Sequence, residues 1–191
     1  NMPGAERNTN VQAITVSDGY SRSLYSHGGI KPTFVNHQRG VGHAPAPLFH
    51  YRGADVLEML HSLRKEAGDP YEGIKVDFVN PVTGESVFKT LNYSAQLLRP
   101  GEETDWKRET AGNYYVCIEG SGVTEVGGKR FEWGHNDLFV VPNFLWRRHI
   151  NTGKTDAVIY SVSDAALMRN IGQYYAQGRS QGGEVTELVL Q

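Results

Sequence analysis

From Leu91 onward, apolar and polar positions alternate in short runs separated by glycine and proline. Period-two alternation over four to eight residues, rich in β-branched and aromatic side chains, predicts strands. The runs are Ile74–Val79, Leu91–Leu98, Asn113–Ile118, Val123–Val126, Lys129–Trp133, Leu138–Val141, Trp146–Asn151 and Ala157–Val162. Gly127-Gly128 predicts a two-residue hairpin, since both turn positions of such a hairpin adopt positive φ. Asn80-Pro81-Val82-Thr83-Gly84 predicts a further turn. Two segments follow the helical period instead. Val56, Leu57, Leu60 and Leu63 share one face and predict a helix over about 54–67, closed by Gly68. Ala165, Met168, Ile171 and Tyr175 predict a second helix, begun by Ser163-Asp164 and ended by Gly178. The tail Arg179–Gly183 is predicted to be flexible, and Glu184–Leu190 to add an edge strand. The fold class that follows is all-β, a jelly-roll (double-stranded β-helix) barrel flanked by two short helices.

Residues 1–48 lack sustained periodicity and are polar and Gly-rich, so alone they bury too little surface to fold. They are expected to form an extended arm, residues 49–163 the barrel with its preceding helix, and 164–191 a C-terminal helix and tail. His27, His37 and His43 lie in the arm without the close spacing of a metal-binding pair. Asn1 precedes Met2, so position 1 is not a translation start. Either Met2 begins the natural chain or this is part of a longer polypeptide.

Composition narrows the function classes. The chain has 191 residues, 39% hydrophobic and 21% charged, with net charge −2. That length suits one packed domain with arms, and the charge favours neither nucleic acid nor an anionic membrane surface. No apolar run approaches a membrane span. The single cysteine, Cys117, falls in a predicted strand and reads as a small buried apolar residue. One cysteine permits no intrachain disulfide, which agrees with a cytoplasmic location. No phosphate-binding glycine loop, Ser-His-Asp arrangement or C-x-x-C pair occurs.

The spacing of particular residues says more. Gly101, then positions 107, 109 and 113, then Gly120 follow the first cupin motif, G-x5-H-x-H-x3-E-x6-G. Pro142, position 147 and Asn151 follow the second, P-x-G-x2-H-x3-N. Where a cupin places its metal ligands, this chain has Lys107, Glu109, Asn113 and Arg147. Arg offers no lone pair, Lys would have to lose its proton beside a cation, and one carboxylate is too few for a transition metal. No metal is therefore expected here. Strand alternation turns Lys107, Glu109 and Arg147 inward and Arg108, Trp146 and Arg148 outward, so the old metal hole is expected to hold an ion pair.

From Pro47 onward the chain resembles the C-terminal barrel of gentisate 1,2-dioxygenase and its salicylate and hydroxynaphthoate relatives. The resemblance is carried by PLFHY (47–51), FVNPVTG (78–84), LLRPGEETDWKRETAGNYYVCIEGSG (97–122), FEWGHNDLFVVPNFLWRRH (131–149) and AVIYSVSDAALMRNIG (157–172). SDGYSRSLY (17–25) is similar to the family's connector between barrels. The resemblance implies a bicupin whose N-terminal barrel holds Fe(II) on three histidines and adds O2 across a bond of a hydroxylated aromatic acid. It implies a C-terminal barrel without metal, and a homo-oligomer, usually a tetramer. The N-terminal barrel is not in this sequence. His149 matches the second histidine of the family's W-H-x-H pattern and, two beyond Arg147, faces the interior. It is expected to be a satisfied interior side chain, bonded to Glu109.

Three functions follow. The first is the metal-free half of a ring-cleaving dioxygenase, with no catalytic residue of its own and a structural and oligomer-building role. The second is a stand-alone module that binds an aromatic or other small carboxylate, with Lys107, Arg147 and His149 forming a cationic pocket beside Glu109 and Asn113. The third is a metal-independent enzyme using Glu109 and His149 as acid and base, which requires both side chains adjacent and open to solvent.

Overall fold

The structure is a computed structural model and describes residues 50–188. Helix α1 (Gly53–Ser62) leads into β1 (Ile74–Asp77) and β2 (Asn92–Leu98). Strands β3 (Trp106–Glu109), β4 (Asn113–Glu119), β5 (Gly122–Val126), β6 (Lys129–Trp133), β7 (Leu138–Val141), β8 (Arg147–Ile150) and β9 (Ala157–Ser163) follow. Helix α2 (Ala165–Asn170) precedes β10 (Ala176–Arg179) and β11 (Val185–Glu187). Two sheets face each other, ordered β1-β2-β9-β4-β7 and β11-β10-β3-β8-β5-β6, and every pairing between strands is antiparallel. This is the expected all-β cupin barrel. None of the described helices is long and apolar enough to cross a membrane.

The sequence pattern places the core. Alternation along β4 and β9 sends Tyr115, Cys117, Ala157 and Ile159 inward, where they meet Val126, Trp133 and Val141. The opposite face of the first sheet supplies Ala95, Leu97 and Val158, covered by Leu60 of α1. The Gly127-Gly128 hairpin forms as expected, with φ of 56° and 78° and Val126 opposite Lys129. The inside of the barrel is split by polarity. One end is the apolar cluster around Tyr115. At the other end, the inward residues of β1, β2, β4 and β9 include Lys75, Ser94, Gln96, Asn113 and Ser161.

The second sheet's outer face carries a ladder of guanidinium groups between aromatic rings. Arg108 lies 4.4 Å from the centre of Phe144 and 4.5 Å from that of Trp146. Arg179 lies 4.9 Å from the Trp146 ring and 5.0 Å from Trp106, and Arg148 is 5.1 Å from Trp106. Arg108, Trp146 and Arg148 thus face outward, as alternation requires.

Both helices are shorter than their periodicity suggests. α1 ends at Ser62 because the side chain of Arg99, at the end of β2, takes the carbonyls of Arg64 and Glu66, and Arg64 turns to pair with Asp156 at 2.7 Å. Gly68 does have positive φ, 75°, but it stands just before the turn closed by Asp69 and Gly73, not at the helix end. α2 stops at Asn170, and the segment read as its continuation is strand β10. The signal was there: along β10, Ala176 and Gly178 are buried while Gln177 and Arg179 are half-buried, a period of two. Residues 180–184 are not a loose tail but a turn, with Ser180 N–H donating to Glu184 O at 3.0 Å. It delivers β11 as an edge strand on β10. The arm, with His27, His37 and His43, lies outside the described residues.

Candidate functional site

The inward positions of β3 and β8 meet where the two strands pair, Lys107 opposite Arg147. Lys107, Glu109, Asn113, Arg147 and His149 are all buried. Four of them form one network. Arg147 Nη2 donates to Glu109 Oε1 at 2.8 Å, Asn113 Nδ2 donates to the same oxygen at 3.1 Å, and Lys107 Nζ lies 3.7 Å from it.

Three further members come from outside the motif frame. Glu72, in the loop before β1, accepts from Lys107 Nζ and, at 3.4 Å, from Arg147 Nη2. Lys75 of β1 approaches Glu72 Oε2 at 3.4 Å. Tyr174, at the entry to β10, donates its hydroxyl to Glu109 Oε2 at 2.6 Å. Arg147 Nε donates to Tyr115 Oη at 2.9 Å. Sequence spacing did not single out Glu72, Lys75 or Tyr174, because none of them stands in a motif.

His149 joins a different chain. It lies opposite Thr124 on β5, with Nδ1 2.8 Å from Thr124 Oγ1, which accepts from Trp133 Nε1 at 2.9 Å. The expected bond to Glu109 is not formed. With Nδ1 satisfied in either tautomer, the remaining ring nitrogen is Nε2. That atom is buried without a hydrogen-bond partner.

Electrostatics sort these groups. Burial works to raise the carboxyl pKa of Glu72, but Lys107, Lys75 and Arg147 outweigh it and hold Glu72 well below the usual range. Glu109 is held down in the same way by Lys107 and Arg147. Burial, then the positive charge of Arg147, pushes His149 from 6.5 down to about 3, so it is neutral. Burial also pushes the Tyr115 phenol up to about 12, and burial with Glu109 raises that of Tyr174. Within the expected pocket of Lys107, Arg147 and His149 the charge is unevenly spread. His149 carries no charge, and the charges of Lys107 and Arg147 are met by Glu72 and Glu109.

This donor set does not fit a metal ion. Arg147 has no lone pair, the Lys107 ammonium is held by Glu72, and both oxygens of Glu109 already accept hydrogen bonds. Among the described residues no three His, Cys, Asp or Glu side chains group in a way that could hold a metal. Acid–base chemistry by Glu109 and His149 is disfavoured too, since both are buried and each is bound to other partners. Beside the network a cavity of about 460 Å³ opens to solvent, lined by Glu72, Lys75, Ser94, Lys107, Glu109 and Tyr174 among others.

Residues 95–163 match the cupin domain family. The chain is 36% identical over 141 residues to 5-aminosalicylate 1,2-dioxygenase of Comamonas sp., covering 73% of this chain and 37% of the relative. It is 31% identical over 163 residues to gentisate 1,2-dioxygenase 1 of Aquipseudomonas alcaligenes, covering 85% of this chain and 45% of the relative. In sequence the chain is similar to gentisate and salicylate-type 1,2-dioxygenases. It spans less than half the length of these curated relatives. In fold it is similar to the salicylate 1,2-dioxygenase of Pseudaminobacter salicylatoxidans, with TM-score 0.66 at 23% identity over 83% of this chain and 46% of that one.

Proposed function

We propose that this chain is the metal-free C-terminal cupin half of a cytoplasmic, gentisate 1,2-dioxygenase-like, ring-cleaving enzyme of aromatic-acid catabolism. It supports a separate Fe(II)-bearing barrel and builds subunit contacts, and it contributes no catalytic residue. One observation carries the reading: every side chain at the former ligand positions is committed to the buried Glu72–Lys107–Glu109–Arg147 network. A half that spans 37–46% of its curated relatives agrees with an absent catalytic partner. Exposed Tyr114, Leu138 and Val140 on the outer face of β4 and β7 offer an apolar surface for subunit contact.

Elemental analysis of the purified chain after incubation with Fe(II) tests this. No stoichiometric iron is expected. One iron per chain, lost in Glu109→Gln, would falsify it.

A second reading, a pocket for a small carboxylate, is favoured by the cavity beside Lys75 and Lys107. Binding of benzoate by the metal-free chain at millimolar concentration or below is the expected result under that reading.

A further inference from the structure

On the outer face of the second sheet, rings and guanidiniums alternate in one stack: Phe144, Arg108, Trp146, Arg179, Trp106 and Arg148. They come from β3, β8, β10 and the loop leading into β8. All six are part-exposed, Phe144 by 40%. Helix α1 covers the outer face of the first sheet instead.

The guanidiniums of this face are not equally met. Arg148 pairs with Glu103 and Glu125, and Arg130 with Glu125. Arg108 gives Nε and Nη2 to the neutral amide oxygen of Gln177, at 2.8 and 2.6 Å. Arg179 lies against both the Trp106 and Trp146 rings. Among the described residues no carboxylate pairs with Arg108 or Arg179. The unpaired acids Glu132 and Glu187 stand on the sheet's two edge strands, β6 and β11, and reach neither.

Stacking fixes the plane of a guanidinium, so little rotamer freedom is left to lose when a partner binds. Its N–H edge matches the two oxygens of a carboxylate. Arg and Trp are also the residue types that concentrate binding energy at protein interfaces. Phe144 points the same way. Its φ of 58° is rare for a bulky residue, and that strained turn sets an exposed ring on Arg108.

We propose that this face docks an acidic segment of a partner protein. Arg179 takes one carboxylate with its whole fork, and Arg108 takes a second with its remaining N–H groups. Apolar atoms of the segment lie on Phe144. The surface is on the opposite sheet from the Tyr114–Leu138–Val140 patch and does not depend on the metal-free reading.

Two of the chain's three tryptophans stand in the ladder, so tryptophan emission reads the site. The chain is titrated with hexaglutamate, hexalysine and hexathymidylate at fixed ionic strength. Hexaglutamate is expected to bind saturably and shift the emission, against the chain's net charge of −2. Arg179→Gln and Arg108→Gln should each weaken it at least about fivefold. Arg179→Lys, which keeps the charge without the planar fork, should weaken it at least about threefold and decides alone where a Gln variant does not fold. Lys129→Gln, on the β5–β6 hairpin, should stay within about twofold. No saturable binding to the parent, or equal affinity in Arg179→Lys and the parent, would overturn the docking face. A loss in Lys129→Gln as large as in Arg179→Gln, or hexalysine binding as tightly, would overturn it too. Hexathymidylate binding tighter than hexaglutamate would overturn the acidic protein segment in favour of a phosphate-bearing chain.

Discussion

Arg147 is the most deeply buried charge of the network. It is 2% exposed and bonded to Tyr115, Glu109 and Glu72. Removing one partner of a buried pair strands the other charge, at about 3–5 kcal/mol. Arg147→Met should lower the free energy of unfolding by that order in urea denaturation. Adding Glu109→Gln to it should recover part of the loss, and a double-mutant cycle measures how much. Tyr174→Phe, which deletes one bond to Glu109 Oε2, should cost about 1–2 kcal/mol.

His149 gives a pH signature. Its folded pKa lies near 3, below its ordinary 6.5. Below 6.5 the unfolded chain takes up a proton that the folded chain refuses. Stability from this group is therefore fully present above 6.5 and falls as pH drops toward 3, by up to about 1.4 kcal/mol per unit. Glu72 and Glu109, whose folded values are depressed, add a loss that begins as pH falls through the ordinary carboxylate range and continues below it. Unfolding free energy measured between pH 7 and 5 should decline in the parent chain and be flatter in His149→Gln, because the carboxylates do not titrate in that window.

At the scale of elements, α1 is anchored by Leu60, with Val56 and Leu57 packed around it. Leu60 is fully buried against Ile74, Ala95, Leu97 and Val158, whereas Met59 beside it is 53% exposed. Leu60→Ala should cost about 2–5 kcal/mol by cavity formation, and Met59→Ala less than about 0.5, both read by denaturant titration. The elements also show what the sequence makes legible. The barrel strands could be read from local alternation and glycine turns, and the motif spacing placed Lys107, Glu109 and Arg147 in one interior. Glu72 and Lys75 could not be found that way, because they reach the site through a loop and an edge strand that no local pattern links to β3 and β8. Tyr174 was hidden by a helical period that runs past the real end of α2. His149 was assigned the wrong partner since pairing register, Thr124 opposite His149, is a property of two strands and not of either one.

Over the whole molecule, burial is incomplete. Tyr114, Leu138 and Val140 are 55%, 63% and 44% exposed, and β4–β7 pairing sets Tyr114 opposite Val140 and Val116 opposite Leu138. A contiguous apolar patch on an edge of the sheet is a contact surface or an aggregation hazard. Tyr114→Lys with Leu138→Lys should shift sedimentation toward a smaller species while far-ultraviolet circular dichroism stays unchanged. An unaltered sedimentation coefficient would overturn this patch as a subunit contact.

The joint occupancy of the barrel by Glu72, Lys75, Lys107, Glu109 and Arg147 bears on how such a half evolves. Writing histidines back at 107, 109 and 147 would not by itself recreate a metal centre, because Glu72 and Lys75 would stay behind in a barrel rebuilt around them. Each single reversion orphans a buried ion before any new ligand set is complete. Stepwise introduction of a metal-ligand set into this barrel therefore runs through several destabilised intermediates.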